Sequence, residues 1–156
     1  MKIVNINYKG YVPNADKILP FQQFVKLQPP QMLKFKSPKG VLIVFRSGKC
    51  RLMGCKESII STKDLFDFPI ILSKIQSATV TMQMGFPLNL YKIANSMGLK
   101  NCVYEPELFP ALRITKGLLP LCVNVFASGK IVILGLKHLD IERVCKHVRV
   151  VLTNHI

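Results

Sequence analysis

The sequence predicts an α+β fold made twice over, in which each half supplies antiparallel strands with helices on one face and an open face on the other. Three observations carry this expectation. A sixteen-residue segment, Val41–Lys56, recurs as Cys122–Lys137, with Phe45, Ser47, Gly48, Lys49, Gly54 and Lys56 matched by Phe126, Ser128, Gly129, Lys130, Gly135 and Lys137. Stretches of strict polar–apolar alternation open each half. Helical periodicity closes the chain. The two units nearly fill the 156 residues, so the halves are read as 1–75 and 76–156 of a single domain, with no linker.

Taken in order, Val4–Lys9 alternates with period two and reads as the first strand. It opens at the start of the sequence, so no N-terminal extension is expected. A helix is expected over Asn14–Val25. The first copy of the repeat follows as a β-hairpin, because Gly48 can adopt the positive φ that a tight turn needs. A longer helix is expected over Ser61–Ile75, kinked or shortened by Pro69. The second half repeats the order. Ser77–Met84 alternates without a break, Pro87–Met97 reads as a helix stopped by Gly98, and the second hairpin turns at Gly129. The closing helix is expected over Leu139–Leu152, burying Leu139, Val144, Val148 and Val151 and exposing Arg143, Lys146 and Arg149. Helices must cover one face of such a sheet. The other face would then carry Asn5, Asn7, Ser77, Thr79 and Thr81.

Composition narrows the function. Hydrophobic residues make up 49% of the chain and charged residues 19%, so a core can form. Against 8 acidic residues stand 22 Lys and Arg, a net charge of +14. Such an excess points to a polyanion, either nucleic acid or an anionic membrane, and nucleic acid is favoured; the bland alternative is a solvated basic surface. Residues 1–74 hold 13 basic and 4 acidic residues, and 75–156 hold 9 and 4, so the first half is the more cationic. The start of the chain has no apolar signal core. The most apolar stretch, 117–136, is interrupted by Pro120, Asn124, Ser128, Gly129 and Lys130, which excludes a membrane-crossing helix. A soluble, intracellular protein is expected. The five cysteines are odd in number and lack a C-x-x-C pair, and His138, His147 and His155 lack metal-type spacing. Reduced buried thiols are expected, with no metal and no cofactor. No Ser/His/Asp set and no phosphate loop is present, because Gly48-Lys49 lacks the Walker glycine spacing and hydroxyl. The chain is not expected to be an enzyme.

The segment Tyr104-Glu105-Pro106-Glu107-Leu108-Phe109-Pro110-Ala111-Leu112, followed by Phe126–Gly135, closely resembles the second repeat of the TATA-box-binding protein family. Ile75-Gln76-Ser77 and Phe86-Pro87-Leu88 fit the same pattern, and the first half follows it through Pro38 and Phe45–Lys56. The resemblance implies a saddle with pseudo-two-fold symmetry: a curved antiparallel sheet of about ten strands with four helices on its convex face. It also implies minor-groove binding, in which paired phenylalanines wedge between base steps and bend the DNA.

Carried over residue by residue, the resemblance places Phe109 and Phe126 on the wedge pair of the second half and Phe45 on one member of the first. Strand parity sets Phe45 and Ile43 on the face opposite Leu42 and Val44. Counting back from Phe45 by the Phe109–Phe126 spacing reaches Gln28, beside Leu27, the apolar candidate for the missing wedge. Lys34, Lys49, Lys56, Lys130 and Lys137 fall on basic positions that would contact the DNA backbone, and Arg51 adds a charge where the family is apolar. Asn5, Asn7, Ile43, Met53, Ser77, Thr79, Asn124, Val132 and Leu134 would line the groove. Ser77 stands in the family's asparagine position, with Asn5 as the first-half candidate. Met53 and Leu134 stand in its threonine positions and cannot donate to adenine N3 or thymine O2. An altered or deformability-based preference is therefore expected over strict TATA recognition. Glu105, Glu107 and Leu108 match positions that dock a transcription factor IIB-type partner.

Two readings stand side by side. One is a DNA-binding initiation factor working on double-stranded DNA with a IIB-like protein and the RNA polymerase initiation machinery, in a nucleus or at a viral transcription site. The other is an interaction module that keeps the saddle without productive DNA binding. No membrane partner is expected.

Overall fold

The computed structural model describes residues 1–20, 32–57, 65–117, 121–137 and 140–156. It divides into two compact units, Asn5–Ser77 (the first unit) and Ala78–Ile156 together with Met1–Val4 (the second). Among the described residues there are nine strands and three helices, against the ten and four expected.

The first unit takes most of β1 (Lys2–Tyr11), the helix α1 (Ala15–Ile18), β2 (Met32–Ser37), β3 (Gly40–Phe45), β4 (Lys49–Cys55) and the start of β5 (Ile71–Gln83). Its strands hydrogen-bond in the order β2-β3-β4-β1, with β5 beside β1. The ladders β2–β3, β3–β4 and β1–β4 are antiparallel. Alternation sends Ile6, Tyr8, Leu33, Leu42, Val44 and Leu52 to the covered face, where each is buried. Each such side chain contributes roughly 1.5–3 kcal/mol.

Over 65–75, the described part of the helix expected at 61–75, no helix forms. Residues 61–64 lie outside those described, 65–68 form turns and bends, and β5 begins at Ile71. Pro69 disfavours helical geometry at Phe68 before it. Phe66 and Phe68 instead cover Phe35, with ring centroids 6.4 and 5.0 Å away. The helix expected over Asn14–Val25 is described only as α1, since 21–31 lie outside the described residues.

The second unit holds the rest of β5, α2 (Leu90–Met97), β6 (Cys102–Val103), β7 (Leu112–Ile114), β8 (Cys122–Val125), β9 (Lys130–Leu136) and α3 (Ile141–Thr153), with strand order β5-β9-β8-β7-β6. The helix expected from Pro87 starts three residues later, where the Asn89 side chain accepts from Lys92 N–H at 3.0 Å, and it ends at Gly98. Asp140 caps α3 through Arg143 N–H. The buried stripe of α3 is Ile141, Cys145, Val148 and Leu152, with Cys145 and Leu152 each one position past the expected Val144 and Val151. Val148 belongs to both sets, but Val144 and Val151 flank the stripe and are half-buried, and Leu139 lies outside the described residues. Arg143, Lys146 and Arg149 are exposed, and Arg149 donates to the Gln83 carbonyl at 2.7 Å.

The two units repeat the same register. Val41, Leu42, Ile43 and Val44 pair with Met53, Leu52, Arg51 and Cys50, as Cys122, Val123, Asn124 and Val125 pair with Leu134, Ile133, Val132 and Ile131. Gly48 (φ 92°) and Gly129 (φ 85°) turn the hairpins, and each donates its N–H to the carbonyl of Phe45 or Phe126 at 2.9 Å. Ile6 and Tyr8 oppose Cys55 and Leu52, as Ala78 and Val80 oppose Leu136 and Ile133. Each ladder therefore carries a bulge at the same place, with Gly54 or Gly135 as the extra residue at positive φ.

Candidate nucleic-acid interface

The uncovered face of each unit follows from that register. In the first unit one row of cross-strand neighbours reads Lys34, Ile43, Arg51, Lys9. The corresponding row of the second reads Arg113, Asn124, Val132, Thr81. Lys9, Lys34, Arg51 and Arg113 are exposed, and Ile43, Asn124, Val132 and Thr81 are half-buried. No Asp or Glu occurs in any of the nine strands. The acidic residues among those described are confined to loops and helices, so nothing on the described strands opposes a polyanion.

At the end of the second unit's face, Phe126 follows β8 and Phe109 precedes β7. Their centroids are 6.3 Å apart and their planes meet at 65°. The Arg113 guanidinium lies 5.2 Å from the Phe109 centroid, a cation–π contact that holds the ring against the strand. Both rings are half-buried. In the first unit Phe45, also half-buried, ends β3 and faces Met32 across the ladder. Leu27 and Gln28 lie outside the described residues. The count that reached Gln28 assumed equal hairpins. Leu33 lies eleven residues before its partner Val44, whereas Leu112 lies thirteen before Val125, which moves the counted position to Pro30.

Lys49 and Lys130 directly follow the hairpin turns and are exposed, as are Lys56 and Lys137 just past the ends of β4 and β9. The bulge glycine organises the amides beside it. Gly54 N–H lies 3.0 Å from Asn5 Oδ1 and 3.2 Å from Asn7 Oδ1. Asn7 Nδ2 donates to Ser77 Oγ at 3.3 Å. Engaging Asn5 Oδ1 as an acceptor fixes which end of that amide remains to donate, and Asn5 and Ser77 occupy equivalent register positions. Met53 and Ser77 are half-buried on the uncovered face of the first unit, and Thr79 and Leu134 on that of the second. Asn124 Oδ1 is buried and has no hydrogen-bond partner among the described residues.

Glu105, Glu107 and Leu108 sit on a turn closed by the Glu105 carbonyl, which accepts from the N–H groups of Leu108 and Phe109 at 2.9 Å. All three are exposed, and Leu108 is 81% accessible. Val103, Glu105, Leu108, Phe109, Ala111 and Arg113 line a shallow depression there.

The sequence reading missed Lys9, Lys36 and Arg113. Arg113 shares Lys34's register position, but the unequal hairpins hide that match. Burial disfavours the thiolate at four cysteines, pushing Cys50 up to about 11 and raising Cys55, Cys102 and Cys145. All five cysteines are free. Among the described residues no group of His, Cys, Asp or Glu could hold a metal ion, and no helix is long and apolar enough to cross a membrane.

Fold and face together define an internally repeated α+β protein with an acid-free, cationic and aromatic sheet surface. Residues 72–155 match the family model described as transcription factor TFIID, or TATA-binding protein. A TATA-box-binding protein of Archaeoglobus fulgidus is 32% identical over 140 residues, covering 78% of this chain and 75% of that one. One from Methanococcus maripaludis is 33% identical over 126 residues, covering 72% and 67%. The solved structure of Methanococcus jannaschii TBP superposes with a TM-score of 0.75 at 27% identity, covering 98% of both chains. The chain belongs to the TATA-binding protein family.

Proposed function

We propose that this chain is a promoter-binding initiation factor that binds double-stranded DNA in the minor groove and bends it, without catalysis. The observation that carries this is the Phe109–Phe126 pair, set beside exposed Lys130 and Arg113 on a face without acidic residues. Phenylalanines inserted at a base step unstack it at a cost of a few kcal/mol, offset by the surface that bent DNA brings into contact. Lys34, Lys49, Lys56, Lys130 and Lys137 neutralise phosphates. With roughly six engaged, log K falls against log salt with a slope of about −5. Asn5 donates to A·T edges, while Met53 and Leu134 offer shape alone, so AT-rich deformable sites are preferred over a strict TATA element. Glu105, Glu107 and Leu108 form the docking point for a IIB-like factor, with Leu108 as apolar anchor, which brings in the RNA polymerase initiation machinery. The place of action is a nucleus or a viral transcription site.

The test is an electrophoretic shift on AT-rich duplexes, paired with end-to-end fluorescence transfer to read bending. A shifted, bent complex that Phe126→Ala weakens is expected. Absence of any shift at low salt, with and without a IIB-like partner, overturns this reading. It would leave the interaction-module alternative, which one observation favours: Phe45 faces Met32 and has no second ring among the described residues.

A further inference from the structure

Four side chains of β1 share the uncovered face: Asn5, Asn7, Lys9 and Tyr11 alternate with the buried Ile6 and Tyr8. Asn5, Asn7 and Lys9 belong to the interface described above. Tyr11 ends the strand and is 48% exposed. It pairs across the ladder with Lys49. Lys49 in turn stands opposite Phe45, one step past the Val44–Cys50 pair. Phe45, Lys49 and Tyr11 thus form one row at the turn end of the face, a cation between two rings. Direct cross-strand neighbours lie about 5 Å apart, so Tyr11 and Lys49 address the same stretch of a bound polymer. In the second unit the residue opposite Lys130 is Gln83.

Packing accounts for the Tyr11 ring but not for its hydroxyl. The ring edge lies over the turn at Gly48, where an added Cβ would come within 2.8 Å of it. A phenylalanine would cover that turn equally well. The hydroxyl has no hydrogen-bond partner among the described residues. Tyrosine hydroxyls donate to phosphate oxygens, and such contacts fix a protein's position on its duplex without reading sequence. A neutral donor displaces no counterion, so it adds affinity without adding to the salt slope.

We propose that Tyr11 is a DNA-backbone contact of the first unit, its hydroxyl donating to a phosphate beside the one that Lys49 neutralises. This rests on the minor-groove reading above and adds a binding residue to it.

The experiment measures affinity for one AT-rich duplex across a salt series, with the wild type, Tyr11→Phe and Lys49→Ala. Tyr11→Phe keeps the ring over the turn, so its thermal midpoint should match the wild type. It should weaken binding about fivefold, by the same factor at every salt concentration. Lys49→Ala should instead reduce the salt slope by about one. A set of duplexes, each with one phosphate replaced by an uncharged methylphosphonate, then locates both contacts. The loss caused by Tyr11→Phe should vanish at one phosphate, next to the one at which the loss caused by Lys49→Ala vanishes. Wild-type affinity for Tyr11→Phe overturns the proposal and leaves Tyr11 as cover for the turn, with minor-groove binding standing. So does a loss that adds to every methylphosphonate alike. No binding of the wild type at low salt overturns both.

Discussion

Phe126 faces Phe109 beside a row with one cation, whereas Phe45 faces Met32 beside a row with three. Yet the hairpins carrying them have the same register, the same turn glycine and the same bulge. The side chains that set this register point to the covered face: Leu42, Val44 and Leu52 in one unit, Val123, Val125 and Ile133 in the other, all fully buried. A one-residue slip would turn each of them out to solvent. Residues on the uncovered face carry no such penalty. Core packing thus preserves the backbone of both units while their ligand chemistry drifts apart.

The comparison is tested hardest by removing the rings one at a time. Phe126→Ala should cost about 3 kcal/mol in DNA affinity, roughly a hundredfold, and should reduce the bend, because it dismantles the pair. Phe45→Ala should cost about 1 kcal/mol, since its neighbour is an unpaired Met32. Equilibrium binding with fluorescence-transfer bending reads both. Equal losses would mean that the units work alike despite their different faces.

The turns give the next largest contrast, in stability. A Cβ at Gly129 would clash with the Phe86 carbonyl oxygen, a backbone atom that cannot yield cheaply. At Gly48 it would meet the Tyr11 ring at 2.8 Å and the Val12 carbonyl at 2.9 Å. Gly129→Ala should therefore destabilise by about 3 kcal/mol and Gly48→Ala by about 2. Gly54→Ala has open space and pays for positive φ alone, about 1 kcal/mol. Denaturant unfolding of the three variants checks the order.

Alkaline pH should strain the first unit next. Burial raises Cys50 from 9.0 to about 11, so the folded state keeps a proton that the unfolded state releases. The associated stability, on the order of 2 kcal/mol, is intact below pH 9 and lost as pH climbs toward 11. Cys50→Val should flatten that decline in a pH series of thermal midpoints.

Much of this was legible in one dimension. The Phe-x-Ser-Gly-Lys turns, the alternation through Val4–Lys9 and Ser77–Met84, and the stop at Gly98 are local signals, and the structure forms these elements. What escaped is non-local. Only the ladder sets Lys9 beside Arg51. A two-residue difference in hairpin length hid the match of Lys34 with Arg113. The helix expected over 61–75 rests on its counterpart at the end of the second half, but in the described part Phe66 and Phe68 reach Phe35 on β2, a contact no local pattern announces. In α3 the choice between Val144 and Cys145 turned on one position of phase, and the smaller, softer side chain went inside.

The smallest effect concerns Asn124, which holds the position that Ile43 holds in the first unit. Its buried Oδ1 lacks a partner among the described residues, a state that costs about 1–3 kcal/mol. Nothing in the covered core requires an amide there, since the first unit folds the same hairpin around an isoleucine. Asn124→Val should therefore raise unfolding stability by about 1 kcal/mol, an unusual sign for a substitution at a half-buried site. If the amide is kept for DNA, the same variant should lose discrimination between A·T and G·C at one position while leaving the salt slope alone. Denaturant midpoints and a duplex panel measure the two arms on one preparation. A variant that is less stable and equally selective would show that Asn124 serves the fold, and would remove the central polar residue from the second unit's side of the comparison.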